Sequence, residues 1–278
     1  MCDYLSQKNP HPRDIGVSLE ESTHLYNING DFKYMSVTTW NNRHYEKFDA
    51  DKIIDKMMAS KNWINSKYYG QTSNEIKDSW SASALSAAAL GTKLHYDIER
   101  FYNLNHLSNH LSNHLSNSCY NDLSNSFMDT DHVYFMNFYN ANNDLKPYRT
   151  EWIVYHEDVK IAGSIDMIFE NGDGSLDICD WKRCKEIVKT NGFNKWATTE
   201  CINHLPDTNY WHYALQLNIY KRIIEDKYGK TVRNLYLVCL HPDNKNGDYQ
   251  KIVVPVLKDE IDKLFIERLA EINNLDKI

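Results

Sequence analysis

The chain has 278 residues, is 42% hydrophobic and 25% charged, and carries a formal charge of −7 at neutral pH. That length and apolar content exclude a mainly disordered polypeptide and allow one sizeable core. The negative balance gives no bulk attraction to phosphate, so a nucleic-acid partner would need a local basic lining around an acidic site.

The longest apolar run, Ser83 to Leu90, is alanine-rich and too short to span a bilayer, and the polar stretch Met1 to Arg13 lacks the apolar centre of a signal peptide. An intracellular protein, cytoplasmic or nuclear and without a membrane partner, is expected. Cys2, Cys119, Cys179, Cys184, Cys201 and Cys239 form no CxxC pair. Reduced thiols are expected, with neither a zinc knuckle nor an iron–sulfur cluster.

In chain order, Thr23 to Ile28 and Phe32 to Val37 alternate apolar and polar residues around Asn29-Gly30-Asp31, which predicts a hairpin. A short helix follows at Ala50 to Ser60. From Ser73 to Asn103 the pattern is helical, opening at Ser73 ahead of Glu75, and Gly91 divides it into two expected segments. Asn105 to Asn117 is a tandem repeat that would put His106, His110 and His114 on one helical stripe, a spacing three metal ligands could use. Low-complexity tracts of this kind form surface insertions, and residues 105–125 are set aside as one.

A helix near Asp131 to Asn142 precedes strand candidates at Arg149 to His156, Lys160 to Phe169 and Leu176 to Trp181, the last two joined by a turn at Asp173-Gly174. A helix at Tyr210 to Tyr228, strands at Asn234 to Leu240 and Gln250 to Val256, and a charged helix at Lys258 to Leu275 complete the chain. This order gives a mixed α/β core with no glycine-rich phosphate loop, which disfavours nucleotide-binding folds. Residues 1–72 are expected to be an extension packed on a core of residues 73–278.

Asp-x-Lys is uninformative by itself, because Asp31, Asp144, Asp158 and Asp243 also begin such a triplet. Asp180-Trp181-Lys182 differs in context: it ends the apolar strand LDICDWK and follows a second apolar strand, GSIDMIF, carrying Asp166. Alternation along a strand turns Asp180 and Lys182 to one face and Cys179 and Trp181 to the other. Two carboxylates on neighbouring strands can share a hard cation, and an adjacent amine can orient an attacking water. His95 and Glu99 stand four apart on one helix face, as do Gln216 and Tyr220.

Taken together, GTKLHYDIE, EWIVYHEDVKIAGSIDMIF, LDICDWKRCKE and QLNIY resemble the PD-(D/E)xK nuclease superfamily. Their order and spacing are similar to its RecB-like, lambda-exonuclease-like branch, which includes the mitochondrial genome maintenance exonuclease. The resemblance implies a restriction-endonuclease-like αβββαβ core and Mg²⁺ or Mn²⁺ held by His95, Asp166, Asp180 and the Trp181 carbonyl. It implies Lys182 as catalytic lysine, with Gln216 and Tyr220 bracing the site. Glu99 and Glu151 are candidates for supporting acids or for plain salt bridges. Some relatives carry four cysteines for an iron–sulfur cluster, and this chain lacks that pattern.

Arg183, Lys185, Lys189 and Lys195 follow Lys182 closely and are interleaved with Trp196. Cations and flat rings are the components of a single-strand channel, so Arg183, Lys185, Lys189 and Trp196 are candidate DNA contacts; partly buried packing is the alternative for the rings. Ser36-Val37-Thr38-Thr39 is either a phosphate contact or the start of a turn or helix. The expected activity is a metal-dependent DNA exonuclease acting on single-stranded ends. The alternatives are a structure-specific endonuclease and a catalytically silent DNA-binding or partner subunit.

Overall fold

A computed structural model of the protein describes residues 3–20, 23, 25–110 and 129–275. The histidine side chains of the tandem repeat, His106, His110 and His114, and most of the 105–125 insertion lie outside what it describes.

The strand GSIDMIF organises the sheet. It belongs to β5 (Ile161–Glu170), which pairs along its length with β4 (Lys146–His156) on one edge. Its other edge is shared. β3 (Asp31–Ser36) pairs parallel to it at Ile161 and Ala162, and β6 (Leu176–Lys182) pairs antiparallel from Met167 to Glu170. Residues 163–166 therefore face a fork between β3 and β6. Beyond β6 the sheet continues through a parallel β7 (Val232–Cys239) to an antiparallel β8 (Gln250–Val253). At the opposite end, β3 continues to β2 (Leu25–Ile28) and β1 (Val17–Glu20).

Local sequence explains the turns. Asn29 and Gly30 both adopt positive φ, which a two-residue hairpin turn of matching twist requires and which Asn-Gly tolerates. At the β5–β6 turn, Gly174 has φ +81° and the Asp173 carboxylate accepts from the Ser175 amide and hydroxyl. The parallel β6–β7 pair needs a crossover, supplied by helix α6 (Asn209–Lys227).

Earlier in the chain lie α1 (Tyr4–Lys8), α2 (Val37–Asn42), α3 (Ala50–Met58), α4 (Ser73–His110) and α5 (Thr130–Ala141), and α7 (Lys258–Leu275) closes it. Helices cover both faces of the sheet. On one, Ala214, Leu217 and Ile223 of α6 and Leu264 of α7 bury Ile165, Ile168, Ile178 and Leu237. On the other, Leu94 and Ile98 of α4 and Phe135 and Phe138 of α5 bury Met167, Phe169, Cys179 and Trp181. A strand covered on both faces reads as an uninterrupted apolar run, as Leu176–Trp181 does apart from its acids.

One expectation is corrected. α4 is continuous through Gly91. A helical glycine costs about 1 kcal/mol relative to alanine, and the alanine-rich flank before it and the buried Leu94 and Ile98 after it outweigh that. The helix opens at Ser73 as expected, capped by Thr72, whose hydroxyl accepts from the Glu75 amide while Glu75 accepts from the Thr72 amide and hydroxyl. Ser36 is an N-cap, accepting from the Thr39 amide.

Candidate active site and metal centre

The site begins where β5 and β6 part. Met167 faces Cys179 in the last matched pair, so the next positions outward are Asp166 and Asp180. Like charges directly opposite repel, and here the strands splay. Asp166 Oδ2 instead accepts the Trp181 amide at 2.9 Å. Cys179 and Trp181 pack with the α4–α5 core, leaving Asp180 and Lys182 on the other face, as strand alternation predicts.

Lys182 Nζ lies 2.7 Å from Asp180 Oδ2, an ion pair deep in the site. The lysine also sits 4.5 Å from the Tyr213 ring centre. Burial raises Asp180 to about 6, helped by the Asp166 carboxylate and opposed by Lys182. Asp166 is raised as well, by burial first, against the pull of His95. Burial disfavours the charge of Lys182, yet Asp180 and Asp166 hold it above the ordinary amine value.

From α4, His95 reaches the same point. Its Nε2 donates to the Trp181 carbonyl at 3.0 Å, and its Nδ1 faces Asp166 Oδ2 at 3.6 Å and Glu151 Oε1 at 3.7 Å. Burial opposes charge on this ring, but the two carboxylates raise it to about 9. A proton on Nδ1 thus stands between two acids. Among the described residues, His95, Glu151 and Asp166 form a cluster whose ligand atoms lie within 4.8 Å of one another. Glu151 is held there by its backbone, with φ +42° inside β4, and by Ser164, whose hydroxyl donates to its other oxygen at 2.9 Å. A non-glycine residue in that conformation costs of order 1–3 kcal/mol and marks a constrained site. Glu99, one turn beyond His95, is raised to about 7 by burial, then by Glu151 and Asp3. A groove of about 550 Å³ lined by His95, Glu99, Glu151, Ser164 and Thr92 opens onto the cluster.

The donor set fits a hard divalent cation. Carboxylates dominate, Glu151 and Asp166 gather with His95 within ligand reach of one another, and the Trp181 carbonyl has a lone pair beyond the one His95 uses.

α6 braces the opposite side. Tyr220 is buried and hydrogen-bonds to Gln216. It packs so closely on β5 that a Cβ at Gly163 would stand 2.7 Å from its Cε1. The glycine in GSID is therefore needed for the contact.

The basic run is dispersed. Arg183 pairs with Asp131, Lys185 with Asp243 and Lys195 with Glu46, while Lys189 lies 4.6 Å from the Tyr210 ring centre. The Lys185 and Lys195 pairs are solvent-exposed and weak enough to exchange for a phosphate; the Arg183 pair is largely buried. Trp196 is 45% exposed and Phe193, absent from the sequence-level candidates, is 85% exposed. A second groove, of about 600 Å³, lies between α6 and α7; its lining includes Arg222, which ion-pairs with both Asp226 and Asp262, and shares no residue with the acid cluster. No helix among the described residues is long and apolar enough to cross a membrane.

No protein-family model matches this sequence, and no curated protein does. Among solved structures, the chain is similar to a provisionally named exonuclease from Eubacterium rectale, at 12% identity and a TM-score of 0.40, over 87% of this chain and 82% of that one. It is also similar to the protein SSO0001, at 17% identity and a TM-score of 0.28, over 66% of this chain and 84% of that one. Likeness at this level says nothing about chemistry, which rests on the side chains themselves.

Proposed function

We propose that this protein is a metal-dependent DNA nuclease of the PD-(D/E)xK type, acting as an exonuclease on single-stranded ends. The observation that carries the reading is the fork of β5 and β6. Asp166 and Asp180 stand at facing positions there, Lys182 is 2.7 Å from Asp180, and His95 is within 4 Å of both Asp166 and Glu151.

Asp166, Asp180, the Trp181 carbonyl and His95 would hold the cation, with Glu151, clustered with His95 and Asp166, as a supporting acid. A bound Mg²⁺ or Mn²⁺ supplies Lewis acidity toward the phosphate and a water of lowered pKa. Lys182 then has its proton and charge where an attacking water must be oriented, because two buried carboxylates fix its position. His95 keeps its ring plane by donating to the Trp181 carbonyl, which turns Nδ1 toward the acids. Gln216 and Tyr220, anchored over Gly163, give the fork a rigid wall.

Purified protein with Mn²⁺ should shorten an end-labelled linear single strand, stop on chelation, and leave a covalently closed circular single strand intact. Cutting of the circle would replace the exonuclease reading with an endonuclease. Failure to cut either substrate would leave a silent DNA-binding subunit as the better reading.

A further inference from the structure

Lys182 is followed at once by a sulfur pair. Cys184 lies two residues past it, and Cys239, the last residue of β7, is the register partner of Lys182 across the parallel β6–β7 ladder. The two Sγ atoms are 3.7 Å apart. Cys239 is fully buried and its thiol donates to the Cys184 carbonyl at 2.8 Å, while Cys184 is partly exposed. The two other described cysteines differ: Cys179 is buried in the α4–α5 core and Cys201 belongs to the opposite face. One reachable sulfur backed by a buried partner gives the access that a sensor thiol beside a resolving thiol needs; access, and not thiolate character, selects Cys184, because the Cys239 sulfur hydrogen-bonded to it raises its thiol.

We propose that Cys184 and Cys239 are a redox modification site, oxidised by hydrogen peroxide to a disulfide that pulls on the end of β6 and displaces Lys182 from Asp180. The Cys184 sulfur attacks a peroxide oxygen, the O–O bond breaks, and a sulfenic acid and one water form. The Cys239 sulfur then attacks that sulfur, expelling hydroxide, which leaves as a second water with the Cys239 proton. The peroxide gains the two electrons that the sulfurs lose. Bonded sulfurs lie about 2.05 Å apart, so the pair must close by roughly 1.7 Å. Cys239 is anchored in β7, so Cys184 does most of the moving. Cys184 stands two residues from Lys182, so its movement is passed along the chain to the lysine, against the hold of the Leu240 amide on the Lys182 carbonyl at 2.9 Å.

The consequence for hydrolysis rests on the nuclease reading; the disulfide does not. Fully reduced, full-length protein would be treated with hydrogen peroxide, its remaining thiols blocked, and the digest analysed without reduction by mass spectrometry. A Cys184–Cys239 linked peptide, two hydrogens lighter than its parts and abolished by dithiothreitol, is expected. Hydrolysis of labelled DNA should fall on the order of tenfold to a hundredfold, as expected for a catalytic group moved by about 1 Å, and recover on reduction. Cys184→Ser should keep its basal rate and resist peroxide. Absence of the linked peptide, with Cys184 unmodified or merely over-oxidised, overturns the site. A linked protein that hydrolyses as fast as the reduced one overturns the displacement of Lys182. If reduced wild type hydrolyses no DNA at all, the nuclease reading fails and the linked peptide still decides the site.

Discussion

His95 carries the most chemical information of any single residue. Its ring is tied at Nε2 and faces two carboxylates at Nδ1, which raise it to about 9, so at neutral pH the cation-free site holds a proton where a metal would bind. Cation and proton must then compete. Asp180, raised to about 6, adds to the same effect at lower pH. Calorimetric Mn²⁺ affinity is therefore expected to rise from pH 6 toward pH 9, with net proton release when buffers of different ionisation enthalpy are compared. His95→Gln should bind more weakly and lose most of the dependence above pH 7. An affinity that falls or stays level across that range would remove His95 from the ligand set. The shared face of Asp180 and Lys182 was legible in the sequence through strand alternation, whereas the reading of His95 as a ligand came from the family resemblance. Glu151 was legible only as a supporting acid, because its place in the cluster depends on a positive φ that no composition rule predicts for glutamate.

Elements place those residues, and two glycines show how differently a backbone can use the same side-chain absence. A methyl group at Gly91 in α4 would meet nothing within 4 Å, whereas one at Gly163 would meet Tyr220 at 2.7 Å and Val37 at 3.0 Å. Gly91→Ala is expected to stabilise the protein by about 0.5–1 kcal/mol, from helix propensity and reduced unfolded-state entropy. Gly163→Ala is expected to destabilise by about 1–3 kcal/mol through overpacking, and to slow hydrolysis by shifting Tyr220. Chemical denaturation of the two variants checks both, and equal effects of the same sign would refute the contrast. Periodicity located the hairpin, β4 to β8 and α5 to α7 closely. It missed α1 and β1 and gave the start of α2 only as one alternative at Ser36–Thr39; these short elements take their stability from tertiary contacts such as the Leu5 amide donating to Asn103. It also split α4 at Gly91, since a local propensity rule weighs one residue and a long helix sums many.

For the molecule as a whole, net charge and local charge have to be separated. The sequence clusters cations after Lys182, but folding pairs Arg183, Lys185 and Lys195 with acids from distant segments. Linear order reveals a basic run and hides its partners, so that part of the site was not legible. The fork was legible in outline, because two apolar strands that each carry an acid near the same end bring those acids to neighbouring positions. The same fork makes the chemistry falsifiable at its centre. Single-turnover cleavage of an end-labelled DNA strand with Mn²⁺ should be measured for wild type, Asp180→Asn and Lys182→Gln, each first shown to be folded by circular dichroism. Metal-dependent cleavage by wild type and a loss of roughly a hundredfold or more in each variant are expected. Cleavage at the wild-type rate by either folded variant would contradict a hydrolytic centre at Asp180 and Lys182.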